Sequence, residues 1–177
     1  MARAYLSALV PIEAGREEAL RKTLADLGGG DESPFRRLAG THMARLYVLD
    51  HYGSSLLGPT YHRALQPALL VLTAVVDGPP AAWVEALRQE AGPAAESVWS
   101  HCSGFPGLGD GDDPAFGRWL LAHEVAPSFS VIPHPDTTVE RIRRGLDVRA
   151  RLGDFAARWQ GAAPAAVRSA YRQVFNP

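Results

Sequence analysis

The sequence has a single cysteine, a single lysine and no long apolar run. One cysteine cannot form a disulfide within the chain. The longest apolar stretch, residues 68–76, is far shorter than the roughly 20 residues that a membrane-spanning helix needs. The N-terminus also lacks a cationic start followed by an apolar run, so we expect a cytoplasmic protein.

The sequence also lacks a large excess of positive or negative charge. The formal net charge is −1 and no basic run exceeds three residues, which predicts binding neither to nucleic acid nor to an anionic membrane surface. Arginine replaces lysine almost entirely, and Ala, Gly and Pro are abundant, which indicates a GC-rich, bacterial genome. A chain of 177 residues with 46% hydrophobic residues is expected to form one α+β domain, with a core over about 3–104 and an extension over about 105–177.

The hydrophobic periodicity predicts the element order β-α-β-β-α-β. Strands show alternation or continuous apolarity, and helices show apolar residues three and four apart with Gly or Pro at their ends. The strands are predicted at 2–12, 41–50, 68–77 and 96–102, and the helices at 15–30 and 78–92. Residues 51–67, rich in Gly, Pro and Ser, are predicted to form a long connection of a kind that often carries function.

This order is that of the ferredoxin-like fold, an antiparallel four-stranded sheet with its helices on one face. The chain continues beyond it. The extension is predicted to contain an additional helix over 113–125, an edge strand over 127–135 and C-terminal helices over 136–159 and 163–175.

The element order, with "SPFRRLAGTHMAR", "WSHCSGFPG" and "IPHPDTTVERIR", resembles bacterial ferredoxin-like proteins. More broadly, it is similar to the dimeric α+β barrel superfamily, which includes dye-decolourising peroxidases, chlorite dismutases and cofactor-free monooxygenases. The stretch "GLGDG", residues 107–111, resembles the Gly-x-x-Asp-Gly motif of the peroxidases but lacks the Gln-Pro that follows it there. The resemblance implies haem as a cofactor, Asp110 as the acid–base residue, and His101 or His123 as the iron ligand.

The second predicted strand carries two residues that favour chemistry, His42 and Arg45. Alternation places Arg45 with Met43 and Tyr47 on the open face of the sheet, in line with Tyr5. There Arg45 would bind a carboxylate or form an ion pair in a homodimer interface. His42, three residues earlier, is expected on the opposite, helix-covered face, so the two do not line one pocket unless a bulge intervenes.

The fourth predicted strand carries Trp99, His101 and Cys102. A strand would direct Trp99 and His101 to one face and Cys102 to the other. Cys102 is therefore expected to be a buried, inert thiol. His101 is the better candidate for a general base or metal ligand, and the alternative is a strand-end histidine bonded to the loop backbone.

Two functions are compatible with these residues. The first is a small-molecule enzyme, with oxidative or acid–base chemistry on an apolar or aromatic substrate, in a pocket between the open sheet face and the connection 51–67. His101, His42, Arg45 and Asp110 would be catalytic, and Trp99, Tyr47, Tyr5 and Met43 would contact the ligand. The alternative is a non-catalytic ligand-binding or assembly protein that dimerises through the sheet face.

Overall fold

The computed structural model describes residues 3–30, 33–53, 62–109, 113–132 and 134–175. These residues form an α+β fold with a three-stranded antiparallel sheet. A short 3₁₀ helix, Pro34–Arg37, precedes the second strand. The elements in chain order are β1 (Arg3–Pro11), α1 (Glu17–Asp26), β2 (Thr41–Gly53), β3 (His62–Asp77), α2 (Pro80–Glu90), α3 (Gly92–Trp99), α4 (Ala115–Ala122), α5 (Val139–Trp159) and α6 (Pro164–Phe175).

The sheet has the strand order β1-β3-β2, with β3 in the centre. Alternate side chains of β1 and β3, among them Leu6, Val10, Leu70 and Leu72, are fully buried on one face. Helices α1, α2 and α4 contact the strands, and their apolar residues join the same core. The predicted α+β class, the three strands and the helices on one face are therefore present.

The predicted fourth strand over 96–102 is wrong, because α3 occupies most of that stretch. The buried residues Ala95, Val98, Trp99 and Cys102 are spaced three, one and three apart, which is the period of one helix face. Gly92 and Pro93 begin this helix. A stretch of seven residues is too short to distinguish the helical spacing of apolar residues from the alternation of a strand.

The predicted edge strand over 127–135 is also wrong for the described positions of that stretch. Prolines at 127 and 135 supply no N–H group for a ladder. The outer edge of β1 is instead closed by isolated backbone contacts. Leu9 N donates to His123 O at 3.0 Å, Val125 N donates to Ser7 O at 2.8 Å, and Ser103 N donates to Pro11 O at 2.9 Å.

The predicted connection 51–67 is shorter than expected at both ends. Strand β2 continues to Gly53 and β3 begins at His62. Residues 54–61 lie outside the described ranges. Because β2 is an edge strand, one side of its backbone has no neighbouring strand within the described sheet.

The chain divides into two compact units, Met1–Val139 and Glu140–Pro177. The first contains the sheet and α1–α4. The second contains α6 and nearly all of α5, which pack together through Phe155 and Tyr171, with ring centroids 5.9 Å apart. No helix in the described ranges combines the length and the apolarity needed to cross a bilayer.

Candidate functional site

The open face of the sheet carries the residues predicted there. Arg45 lies beside Met43 and Tyr47 on β2, and the register places Arg45 in one row with Thr73 and Ser7. Met43 is 37% exposed and Tyr47 is 46% exposed. The part of the face around Arg45 therefore presents apolar and aromatic groups beside a guanidinium.

The open face extends over the nine residues of β1 and further along the longer strands β2 and β3. Dimerisation through this face stays a prediction.

The alternation of β2 predicted His42 on the helix-covered face, and this prediction is wrong. A register shift between Thr41 and Met43 makes His42 the extra residue of a bulge. The His42 Nε2–H group donates to Asp77 Oδ1 at 2.8 Å. Asp77 pairs with Arg3 in the register of β1 and β3, so its side chain belongs to the open face.

Asp77, at the end of β3, is hydrogen-bonded both to β2 and to the start of α5. Its Oδ2 accepts a hydrogen bond from Val139 N, at the start of α5, at 2.8 Å. Burial disfavours the ionised form, but the hydrogen bonds from Val139 and His42, with the positive charges of His42 and Arg3, outweigh it and lower the pKa of Asp77. The His42–Asp77 pair, with both side chains only 11–12% exposed, is a structural contact.

His101 follows α3 and packs against α1. Thr23 Oγ1 donates to Ala19 O at 3.1 Å and lies 3.2 Å from His101 Nε2. His101 Nε2 and the Thr23 hydroxyl are thus hydrogen-bonded to each other. His101 Nδ1 is buried without a partner among the described residues. Burial, followed by the nearby charge of Arg16, lowers the pKa of His101.

Trp99 and His101 do not share a ligand-binding face. Trp99 is fully buried and meets Phe116 edge to face, with centroids 5.5 Å apart. It is a core residue, because the segment is a helix where a strand was predicted. Cys102 is buried as predicted, and burial raises the pKa of its thiol to about 12, which leaves the thiol protonated and unreactive at neutral pH.

The structure places the two candidate histidines near opposite ends of β1. His42 binds Asp77, which pairs with Arg3 at the start of β1. The His101 carbonyl accepts from Glu13 N, just beyond the other end of β1. Ten residues of strand separate these points, which corresponds to roughly 30 Å. His42 and His101 therefore do not line one pocket.

Arg45 and Tyr47 lie at a cleft of about 440 Å³ that we call the edge cleft. Ala44 and Leu46 face the helices and Arg45 and Tyr47 face the other way, so the cleft opens across the outer edge of β2. Its apolar wall comes from the C-terminal end of α1, from the 3₁₀ helix and from β2, through Leu24, Leu27, Phe35 and Leu46.

Arg45 is the cation of the edge cleft. Within the described residues its guanidinium has neither a hydrogen-bond partner nor an ion-pair partner. An arginine at an apolar cleft offers a planar fork of donors to a carboxylate. The side chains present can therefore hold a molecule with an apolar body and one carboxylate.

A second cleft of about 530 Å³, the end cleft, lies beside the ends of β2 and β3. Asp50, at a second bulge of β2, accepts from Arg21 of α1 and from His51 Nδ1 at 2.9 Å. The hydrogen bond from His51, followed by that from Arg21, lowers the pKa of Asp50 to about 2. This network joins α1 to the sheet.

The residues implied for haem do not form a haem site in the described structure. His101 is held by Thr23, and His123 Nδ1 donates to Trp119 O at 2.8 Å while its ring packs on that indole. Neither histidine lines the edge cleft or the end cleft. Asp110 lies outside the described residues. The two histidines that the resemblance implies as iron ligands are thus engaged within the protein and line neither named cleft.

The hydrogen bonds of Asp50 are expected to make part of the free energy of unfolding depend on pH in the acid range. The folded-state pKa of Asp50, about 2, lies below the usual range of an aspartate, so the contribution is complete above about pH 4 and is lost as the pH falls towards 2. Between pH 5 and pH 2.5, the midpoint of urea unfolding should fall less in Asp50→Asn than in the unchanged protein. In Asp26→Asn, which replaces an exposed aspartate, the midpoint should fall as much as in the unchanged protein. Equal losses in all three proteins would contradict this role.

Comparisons of the chain with protein-family models, with curated proteins and with solved structures found no match. The chemistry of the edge cleft therefore rests on the residues of this chain alone.

Arg45 and Tyr47, candidates already in the sequence, line the edge cleft, but the sequence did not predict the apolar wall of that cleft. Leu24 and Leu27 have the spacing of a core-facing helix side, and Phe35 lies in a short 3₁₀ helix that the sequence did not predict, so nothing in the sequence marks them as neighbours of Arg45. Asp50 and His51 carried one usable signal. They are two adjacent polar residues at the point where a strand runs into a long connection.

Proposed function

We propose that the protein binds a small molecule with an apolar or aromatic body and a carboxylate, and that the edge cleft is its site. The observation that carries this proposal is the Arg45 guanidinium, unpaired within the described residues, at the rim of a cleft with a leucine and phenylalanine wall. The function is the ligand-binding alternative that the sequence left open.

The chemistry of the cleft supports an amphipathic acid. A volume of about 440 Å³ lies within the range of small-molecule sites. The body of the ligand would pack on Leu24, Leu27 and Phe35, and its carboxylate would accept two parallel hydrogen bonds from Arg45. The Tyr47 hydroxyl, on the same side of β2, would donate a third.

The positions of the histidines favour binding over catalysis. His42 is engaged by Asp77, and His101 by Thr23, in two places that are far apart. Neither imidazole lies at the edge cleft, where a general base would have to reach the bound molecule. Oxidative, acid–base or haem-dependent chemistry stays a prediction of the sequence.

Replacing Arg45 tests the proposal. Phenylbutyrate, an aromatic ring on a short chain ending in a carboxylate, is the probe, and isothermal titration calorimetry measures its Kd. Arg45→Gln should weaken binding by about 10- to 100-fold, because a hydrogen bond to a charged group is worth about 1.5–3 kcal/mol. Arg37→Gln, an exposed arginine outside the cleft, removes the same charge and should leave the Kd unchanged.

Either of two results would contradict the proposal. One is the absence of measurable binding of phenylbutyrate to the unchanged protein at millimolar concentration. The other is an equal loss in Arg37→Gln and Arg45→Gln, which would reduce the effect to overall charge.

We also propose that the sheet is related to the ferredoxin-like arrangement. The order β1-β3-β2 is that of a βαββαβ sheet without its last strand, which in that fold lies beside the first. Support comes from the outer edge of β1, where Ile12 forms an isolated bridge with Cys102. Cys102 belongs to the stretch predicted as the last strand.

A further inference from the structure

The two units of the chain differ sharply in charge. Residues 140–177 contain eight arginines and three acidic residues, a net charge of +5. Residues 1–139 contain nine arginines, one lysine and sixteen acidic residues, a net charge of −6. The overall value of −1 hides this asymmetry, which suggests an anionic partner for the second unit.

Helix α5 leaves much of its apolar side uncovered. None of its 21 residues is buried, and Ile142, Leu146 and Leu152 are 39%, 56% and 41% exposed. Helix α6 covers another side of α5, through Phe155 and through Arg151, which donates to Val174 O at 2.8 Å. A long helix with this distribution is amphipathic, with an apolar side that lacks a partner among the described residues of its own unit.

The acidic residues of α5 share one side, whereas its arginines lie on several sides. Glu140, Asp147 and Asp154 are seven residues apart, so at about 100° per residue they share one side of the helix. Ile142, Leu146 and Leu152 lie on the other side. Arg149 lies among these three, and Arg143 lies at the edge of the acidic side. Arg144, Arg151 and Arg158 lie on or beside the acidic side. We call Ile142, Arg143, Leu146, Arg149 and Leu152 the docking face.

We propose that the docking face binds an anionic phospholipid surface, with α5 lying parallel to it. The apolar side chains would enter the boundary between headgroups and acyl chains, while Arg143 and Arg149 would extend along that boundary to the phosphates. The three acidic residues would point away from the lipid, which removes their repulsion. The proposal goes beyond the edge cleft, which lies in the other unit, and revises the expectation drawn from net charge alone.

The mixture of groups favours lipid over nucleic acid. Nucleic acid would pair with the arginines but leave Ile142, Leu146 and Leu152 in water, since its backbone offers phosphates and sugars. A bilayer surface takes both kinds of group at once. A bilayer surface also requires no shape complementarity from the protein, which suits the docking face because that face is one side of a single helix.

Vesicle flotation with the full chain tests the proposal. The vesicles are phosphatidylcholine alone or phosphatidylcholine with about one third phosphatidylserine, at about 0.1 M salt. The protein should float with the mixed vesicles and not with the neutral ones. Arg143→Gln/Arg149→Gln should weaken binding about 30-fold, since each arginine near an anionic surface contributes about fivefold. Leu146→Ser should weaken it about tenfold.

The controls separate the possible outcomes. Arg37→Gln/Arg118→Gln removes two exposed arginines of the first unit and should bind as the unchanged protein does, with circular dichroism confirming that every variant is folded. Flotation equal for neutral and mixed vesicles, or an equal loss in both arginine pairs, would overturn the proposal. Tighter binding to a DNA duplex than to vesicles, insensitive to Leu146→Ser, would also overturn it and assign the arginines to nucleic acid.

Discussion

Replacing Trp99 with alanine is expected to lower the free energy of unfolding by about 3–5 kcal/mol. Trp99 is fully buried at the end of α3 and packs edge to face on Phe116. The substitution removes the indole from the centre of the core formed by the helices and the sheet and leaves a cavity. Urea unfolding followed by far-ultraviolet circular dichroism measures the loss.

Trp99→Phe is the matched control. The indole Nε1–H group is buried without a partner among the described residues, so phenylalanine keeps an aromatic ring and removes an unsatisfied donor. Its cost should be well below that of alanine. A loss of under about 1 kcal/mol for Trp99→Ala would show that Trp99 is not a core residue, and that α3 is not where the structure has it.

Replacing Asp77 with alanine is expected to cost about 3 kcal/mol at pH 7, because the change removes two hydrogen bonds to an ionised acceptor. These come from His42 Nε2 and from Val139 N, and both are 2.8 Å long. Hydrogen bonds to charged groups contribute about 1.5–3 kcal/mol each, and the loss of the acceptor leaves partly buried donors without it. The lowered pKa of Asp77 keeps this carboxylate ionised at neutral pH.

A double-mutant cycle separates the two bonds. Asp77→Asn keeps an oxygen for Val139 N and should cost less than alanine. Asp77→Ala combined with His42→Ala should cost less than the two single changes together, because the partners are in contact. Additive losses would mean that His42 and Asp77 do not interact in solution.

The sequence predicted the three strands of the sheet because these strands carry their own signals. Strand β1 alternates and β3 is continuously apolar, and these local patterns match one buried face and a central position. Helix α3 was missed because the predicted strand began at residue 96 and left out the first turn of the helix. The spacing from Ala95 to Cys102 distinguishes a helix from a strand only over eight residues.

The site was harder to predict than the fold, for physical reasons. The face of Arg45 follows from alternation along one strand, whereas the wall of the edge cleft depends on how α1 and the 3₁₀ helix pack on β2. The bulge at His42 reverses the face that alternation assigns, and a bulge has no reliable sequence signal when no Gly is present. The sorting of charge between the two units became visible only when the structure located their boundary at residue 139.

The most direct test of ligand binding is the side-chain spectrum of the arginines as phenylbutyrate is added. Nuclear magnetic resonance of ¹⁵N-labelled protein resolves the Nε–H group of each arginine. The Arg45 signal should shift in a saturable way and exchange more slowly with water, while the neutral phenylbutyramide should leave it in place. A shift confined to other arginines, or an equal response to the acid and the amide, would contradict carboxylate binding by Arg45.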